Sequence, residues 1–225
     1  MIDLNIYTSL ILSFIIQIIS AVIEVISLFA KINPNFIFLK KMLVLELLVQ
    51  FIQGSFYINW LINFKNISNI TPSRYFDWFF TTPIMLINLI FCLLFFQYRD
   101  NNSIDKFNLL NVFNKEFYSI IIVLLCNLLM LLFGYLGTIS FIPISLGIFL
   151  GFLPFLFYFY FIYIKYAILS KDGYKIFLYF FIFWSLYGFS AILPYKIKNT
   201  CYNILDLFSK NFFGLYLSYL IYSYK

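Results

Sequence analysis

Arg74-Tyr75-Phe76-Asp77-Trp78-Phe79-Phe80-Thr81-Thr82-Pro83 opens the third of seven long apolar runs, and Asp206-Leu207-Phe208-Ser209-Lys210 lies inside the seventh. A bilayer core of about 30 Å takes roughly 20 helical residues to cross. The seven runs fall near 5–30, 37–63, 73–97, 116–137, 140–165, 175–193 and 201–224. Lys210 stands nine residues into the last run and fourteen from its far end. The nearer end is therefore ~13 Å away at the helical rise. A lysine side chain does not comfortably reach headgroups from there, so snorkelling fails. A cation so placed must lose its proton or find a counter-ion. Asp206 lies one turn away on the same face, and a purely structural ion pair is one reading of the two. On the third run Arg74, Asp77, Thr81 and Asn88 fall within a sector of about 60°. One face thus carries a cation, a carboxylate, a hydroxyl and an amide.

Composition agrees with a bilayer setting. Of 225 residues, 64% are hydrophobic and 11% charged, and the mean hydropathy is +0.95. A soluble domain averages about 45–50% apolar and about 25% charged. A chain this small could not hide so much apolar surface, which excludes a soluble enzyme, a nucleic-acid-binding domain and a disordered chain. There is no histidine, which removes histidine metal sites and His-based catalysis. Cys92, Cys126 and Cys201 sit in apolar runs without a pairing pattern and read as buried thiols. Residues 1–30 hold no Lys or Arg, so the first run reads as a retained span rather than a signal peptide. Aromatic side chains crowd the span ends, where they anchor at the interface.

Loop charges set the orientation. With the N-terminus outside, the inner segments hold ten bases: Lys31, Lys40, Lys41, Arg99, Lys106, Lys115, Lys165, Lys171, Lys175 and Lys225. The outer segments hold four: Lys65, Arg74, Lys196 and Lys198. The positive-inside rule then predicts N-terminus out and C-terminus in. Two sequons, Asn66-Ile67-Ser68 and Asn69-Ile70-Thr71, fall outside in this arrangement.

The order Arg-Tyr-x-Asp-Trp-x-x-Thr-Thr-Pro on the third helix, with Asp-x-x-x-Lys on the seventh, resembles the microbial rhodopsins, and the match extends over all seven spans. The resemblance implies one all-α membrane domain over residues 1–225, with a retinal pocket in the bundle core. It implies all-trans retinal held as a Schiff base on Lys210. Asp77 matches the primary counter-ion and proton acceptor, Asp206 the second, and Arg74 the arginine that balances them. Trp78, Thr81, Thr82 and Met85 on the third helix fall at cofactor positions. So do Asn127, Met130 and Gly134 on the fourth, and Trp184 and Tyr187 on the sixth. Ser209, beside the lysine, is a colour-tuning position. The implied partners are the lipid bilayer and transported cations or protons. A homo-oligomer is left open, and no enzyme activity is expected.

Departures from the family pattern bear on function. Eleven residues after Asp77, where outward proton pumps usually carry a carboxylic acid, stands Asn88, which has no titratable proton to give. The connection from Pro194 to Thr200 has no carboxylate for a paired-acid proton release site. Gly188 follows Tyr187 where a proline is common.

Polar stripes complete the reading. Ser13, Gln17, Ser20 and Glu24 share a face of the first helix, and Glu46, Gln50 and Gln53 one of the second. Asn203, Asp206 and Lys210 share a face of the seventh. Such stripes serve either as hydrogen-bond glue between helices or as the lining of a hydrated ion path. The short chain, together with Ser13, Gln17, Glu46, Asn203 and Asn211, looks like the first group of viral rhodopsins of giant algal viruses, whose members act as light-gated cation channels. A second family glutamate on helix two is Gln53 here. The expectation is a multi-pass retinal protein acting as a light-gated cation channel. The alternatives are an outward proton pump using Glu46 as donor, and a photosensor signalling to a partner.

Overall fold

The computed structural model describes residues 4–224. Lys225, counted above among the inner bases, lies outside the described residues. These residues form α1 (Leu4–Phe29), α2 (Phe38–Ile62), α3 (Thr71–Asp100), α4 (Leu109–Thr138), α5 (Ile144–Lys165) and α6 (Lys171–Ser190). The seventh helix, α7, is built of three consecutive pieces: α-helical Tyr195–Asp206, π-helical Leu207–Asn211 and α-helical Phe212–Ser223. No strand occurs among the described residues.

Sequential helices pack side by side, and α1 closes the bundle against both α2 and α7. The third helix packs against α2, α4 and α6, which places the Arg74-to-Pro83 run deep in the core. Residue placement inverts that of a soluble protein. Helix α1 buries Ser13, Gln17, Ser20 and Glu24 while Ile15, Ile19, Val22 and Ile26 face outward. Lipid accepts those exposed side chains, and intrahelical bonds satisfy the backbone inside it. By length and composition alone, Ile6–Phe29, Thr71–Asp100, Leu109–Thr138 and Ile144–Leu169 are apolar enough to cross a membrane. Helices α2, α6 and α7 are less apolar, since they carry Lys40, Lys41 and Glu46, or Lys171, Asp172 and Lys175, or Asp206 and Lys210.

The helix starts of α4, α6 and α7 lie earlier than the hydropathy pattern predicts, and side-chain capping explains the first two. The Asn108 side chain accepts from Leu110 N at 3.0 Å and Asn111 N at 3.4 Å, so α4 begins at Leu109 rather than near 116. Ser170 Oγ accepts from Gly173 N at 3.3 Å, so α6 begins at Lys171, with Asp172 in its first turn where the helix dipole favours an acid. The faint break between the fourth and fifth runs is a tight turn. Ser140 adopts φ of 61°, and Pro143 precedes α5.

Small residues let α4 and α5 approach closely. A Cβ at Gly147 would stand 2.7 Å from the Phe133 carbonyl oxygen and 3.1 Å from Gly137 Cα. Gly147→Ala is expected to destabilise the bundle by about 1–3 kcal/mol, the usual cost of overpacking. Detergent unfolding followed by circular dichroism reads this, and an unchanged midpoint would contradict it.

Candidate functional site

Lys210 sits on the π-helical turn of α7 and is 1% exposed. A π turn widens the helix locally and re-aims its side chains. The ammonium donates to Asp77 Oδ2 at 2.8 Å and lies 3.6 Å from Asp206 Oδ1. Helices α3 and α7 thus bring two carboxylates to one cation. Asp206 is the more heavily bonded. Tyr57 Oη donates to its Oδ2 at 2.7 Å, Tyr187 Oη to its Oδ1 at 2.8 Å, and Arg74 Nη1 lies 3.4 Å from Oδ2. Asp77 Oδ1 has no protein donor.

Arg74 is fully buried. Its Nε donates to Asn199 Oδ1 at 3.0 Å, its Nη2 donates to Asn203 Oδ1, and its guanidinium carbon lies 4.7 Å from the centre of the Trp60 ring. Tyr57, Trp60 and Asn199 are absent from the sequence expectations, yet the stripes point to two of them. Tyr57 lies one turn beyond Gln53 on the same face of α2. Asn199 lies one turn before Asn203, but a helix started at residue 201 cuts it off.

A cavity with mainly apolar walls ends at Lys210. Of the expected cofactor residues, α3 contributes Trp78, Thr82 and Met85, and α4 contributes Met130 and Gly134. Trp184 and Tyr187 of α6 and Ser209 of α7 complete this set. Thr81 and Asn127 lie outside the wall. Thr81 Oγ1 turns back to the Asp77 carbonyl at 2.8 Å, and Asn127 Nδ2 donates to Thr82 Oγ1 at 2.7 Å from behind. Gly134 answers first to its neighbour, since a Cβ there would meet Tyr75 Oη at 2.8 Å. Gly188 has a similar reason, because the Phe152 ring occupies the space of its missing side chain. Trp78 packs edge-on to Tyr187 and Tyr202, with ring centres 5.4 and 5.1 Å apart. Apolar walls, rigid rings and an amine at one end fit an apolar aldehyde joined to the lysine.

The polar stripes of α1, α2 and α7 face one another. Ser13 Oγ donates to the Asn203 carbonyl at 2.9 Å, and Gln17 Nε2 to the Gln50 carbonyl at 2.7 Å. Asn211 Nδ2 donates to Ser20 Oγ at 3.0 Å. Gln50 Nε2 donates to Glu24 Oε1. Asn88 of α3 joins from the side, donating to Glu46 Oε2 at 3.3 Å. Six buried oxygens of this seam have no donor among the described residues: Gln17 Oε1, Glu24 Oε2, Glu46 Oε1, Gln53 Oε1, Asn88 Oδ1 and Asn211 Oδ1.

Residues 8–224 match the bacteriorhodopsin-like protein family. The crystal structure of the viral rhodopsin OLPVRII is 30% identical, covers 97% of this chain and 98% of its own, and superposes with a TM-score of 0.81. A thermophilic rhodopsin shares the fold at 18% identity, with 98% and 94% coverage and a TM-score of 0.76. Xanthorhodopsin, described as a light-driven ion pump with dual chromophore, shares it at 17% identity, with 97% and 92% coverage and a TM-score of 0.72. No curated protein sequence matches. The chain belongs to the bacteriorhodopsin-like family of microbial rhodopsins. It is a multi-pass membrane protein of a family that binds retinal through a Schiff base to a lysine and generally serves light-driven ion transport.

Proposed function

We propose that this rhodopsin is a light-gated cation channel with retinal on Lys210, the N-terminus outside and the C-terminus inside. The seam of six unpaired acceptor oxygens between α1, α2, α3 and α7 carries the reading. Buried acceptors left without donors are costly, and glue between helices would satisfy them. An acceptor-lined seam lowers the entry cost for water and cations. The excess of bases at one end of the bundle supports the orientation.

Bound retinal supplies light absorption and isomerisation. The chain's own residues do the rest. Asp77 Oδ2, 2.8 Å from Lys210 Nζ, is placed to take a proton there. Asp206 is held in place beside the lysine by Tyr57, Tyr187 and Arg74. Arg74 balances it from the outer side. The rings of Trp78, Trp184 and Tyr187 keep water from the cavity. A shift of the π-helical turn moves Asn211 against Ser20, which loosens the seam.

The Asn88–Glu46 bond favours a second reading, an outward proton pump. It puts a carboxyl against the residue that stands where such pumps carry their donor. Glu46→Gln separates the two. In a channel it alters current size or selectivity and leaves reprotonation at Lys210 within a few-fold of normal. In a pump it slows reprotonation about 10²–10⁴-fold, the usual share of a general acid, and added azide restores it. Flash spectroscopy with and without azide decides, and an azide-rescued slow decay would overturn the channel reading.

A further inference from the structure

Helices α1, α2 and α7 meet at one level, where Glu24, Gln50 and Gly214 touch. Glu24 is fully buried. Its Oε1 accepts from Gln50 Nε2, and its Oε2 has no protein donor. A Cβ on Gly214 would overlap the Glu24 carboxyl as it lies here, so a larger residue would push the carboxyl off its place against α7. Glu46 stands one helical turn from Gln50 on the same face of α2.

Charge bookkeeping singles these two acids out. In the core of α1, α2, α3 and α7 the buried cations are Arg74 and Lys210. Their ion pairs are with Asp206 and Asp77. Two charges of each sign therefore cancel. Neither Glu24 nor Glu46 has an ion pair among the described residues. A buried carboxylate without a counter-charge is expensive, so each must hold a proton or a mobile cation.

Glu24 is also wired to the lysine turn. Asn211, the last residue of that turn, donates to Ser20 Oγ at 3.0 Å. Ser20 Oγ donates to the Gln17 carbonyl at 2.9 Å and also lies 3.3 Å from Gln50 Oε1, and Gln50 Nε2 donates to Glu24. Movement at Lys210 therefore reaches the Glu24 carboxyl through three intervening side chains.

We propose that Glu24 is the gate of the ion route and the residue that discriminates protons from sodium. Seated on Gly214 and held by Gln50, its carboxyl plugs the seam. When the lysine turn shifts, Gln50 releases it. The freed carboxyl passes its own proton on and takes up the next one, in preference to a larger monovalent cation. This rests on the channel reading and deepens it by naming its gate.

The test compares wild type, Glu24→Gln and Gly214→Ala, each full length, with retinal and with the visible band confirmed. Reversal potentials are read in opposed proton and sodium gradients, and light-minus-dark infrared spectra are read on the same proteins. Glu24→Gln is expected to lower the proton-to-sodium permeability ratio about fivefold or more and to remove one carboxyl C=O band. Gly214→Ala keeps the carboxyl but unseats it. That variant is expected to slow closing after light-off by about fivefold, the worth of roughly one hydrogen bond, and to shift the same band. An unchanged permeability ratio and an unchanged carboxyl band in Glu24→Gln overturn the gate. A reversing wild-type current with both variants unchanged sinks the gate alone. A one-way wild-type current sinks the channel reading and the gate with it. If Gly214→Ala binds no retinal, the ratio and the band of Glu24→Gln decide.

Discussion

Lys210→Ala is expected to give a folded, membrane-inserted protein that stays colourless with retinal. Among the described residues Lys210 is the one lysine on the cavity wall, and its amine is held between Asp77 and Asp206. Without the amine no covalent link can form there. The substitution also strips Asp77 of its partner. Breaking a buried pair from one side costs about 3–5 kcal/mol. Lys210→Ala combined with Asp77→Asn removes the orphaned charge and should recover part of that stability while remaining colourless. A normal visible band in either variant would show that retinal is held elsewhere.

Asp77→Asn is expected to move the absorption band to longer wavelength and to slow proton transfer about 10²-fold or more, the scale of a lost general base. The Asp77 carboxylate stabilises positive charge at Lys210 Nζ in the dark state, where that charge is localised. Asparagine keeps the shape and loses the charge, so the ground state rises toward the excited state. Asp206 is a poor substitute acceptor because Tyr57, Tyr187 and Arg74 already occupy it. A variant band that matches wild type at every pH from about 5 to 9, above the ordinary carboxylate range, would exclude Asp77 as the counter-ion.

Much of this architecture was legible in the sequence because hydropathy and helical period are local properties. Spacing put Arg74 with Asp77 on one helix face and Asp206 with Lys210 on another, and the family resemblance implied that they share one site. The two carboxylates do meet the lysine ammonium, with Arg74 paired to Asp206. The stripes on α1, α2 and α7 likewise predicted facing surfaces. Helix starts were less legible where a cap, not hydropathy, fixes them, as Asn108 does for α4. Setting the start of α7 at residue 201 hid Asn199 and with it the anchor of the Arg74 Nε. Thr81 shares a face with Asp77 but spends its hydroxyl on its own backbone, a choice that spacing does not reveal. Neither the π-helical turn under Lys210 nor the seat of Glu24 on Gly214 has a periodic trace. Both arise from how α7 fits against its neighbours.

The most direct measurement is the photocurrent of the wild-type protein in a voltage-clamped cell, with cation and pH gradients varied across the membrane. A light-gated cation channel gives a current that reverses sign with voltage, at a potential that follows the imposed cation gradients. A current of one direction at every accessible voltage would contradict it.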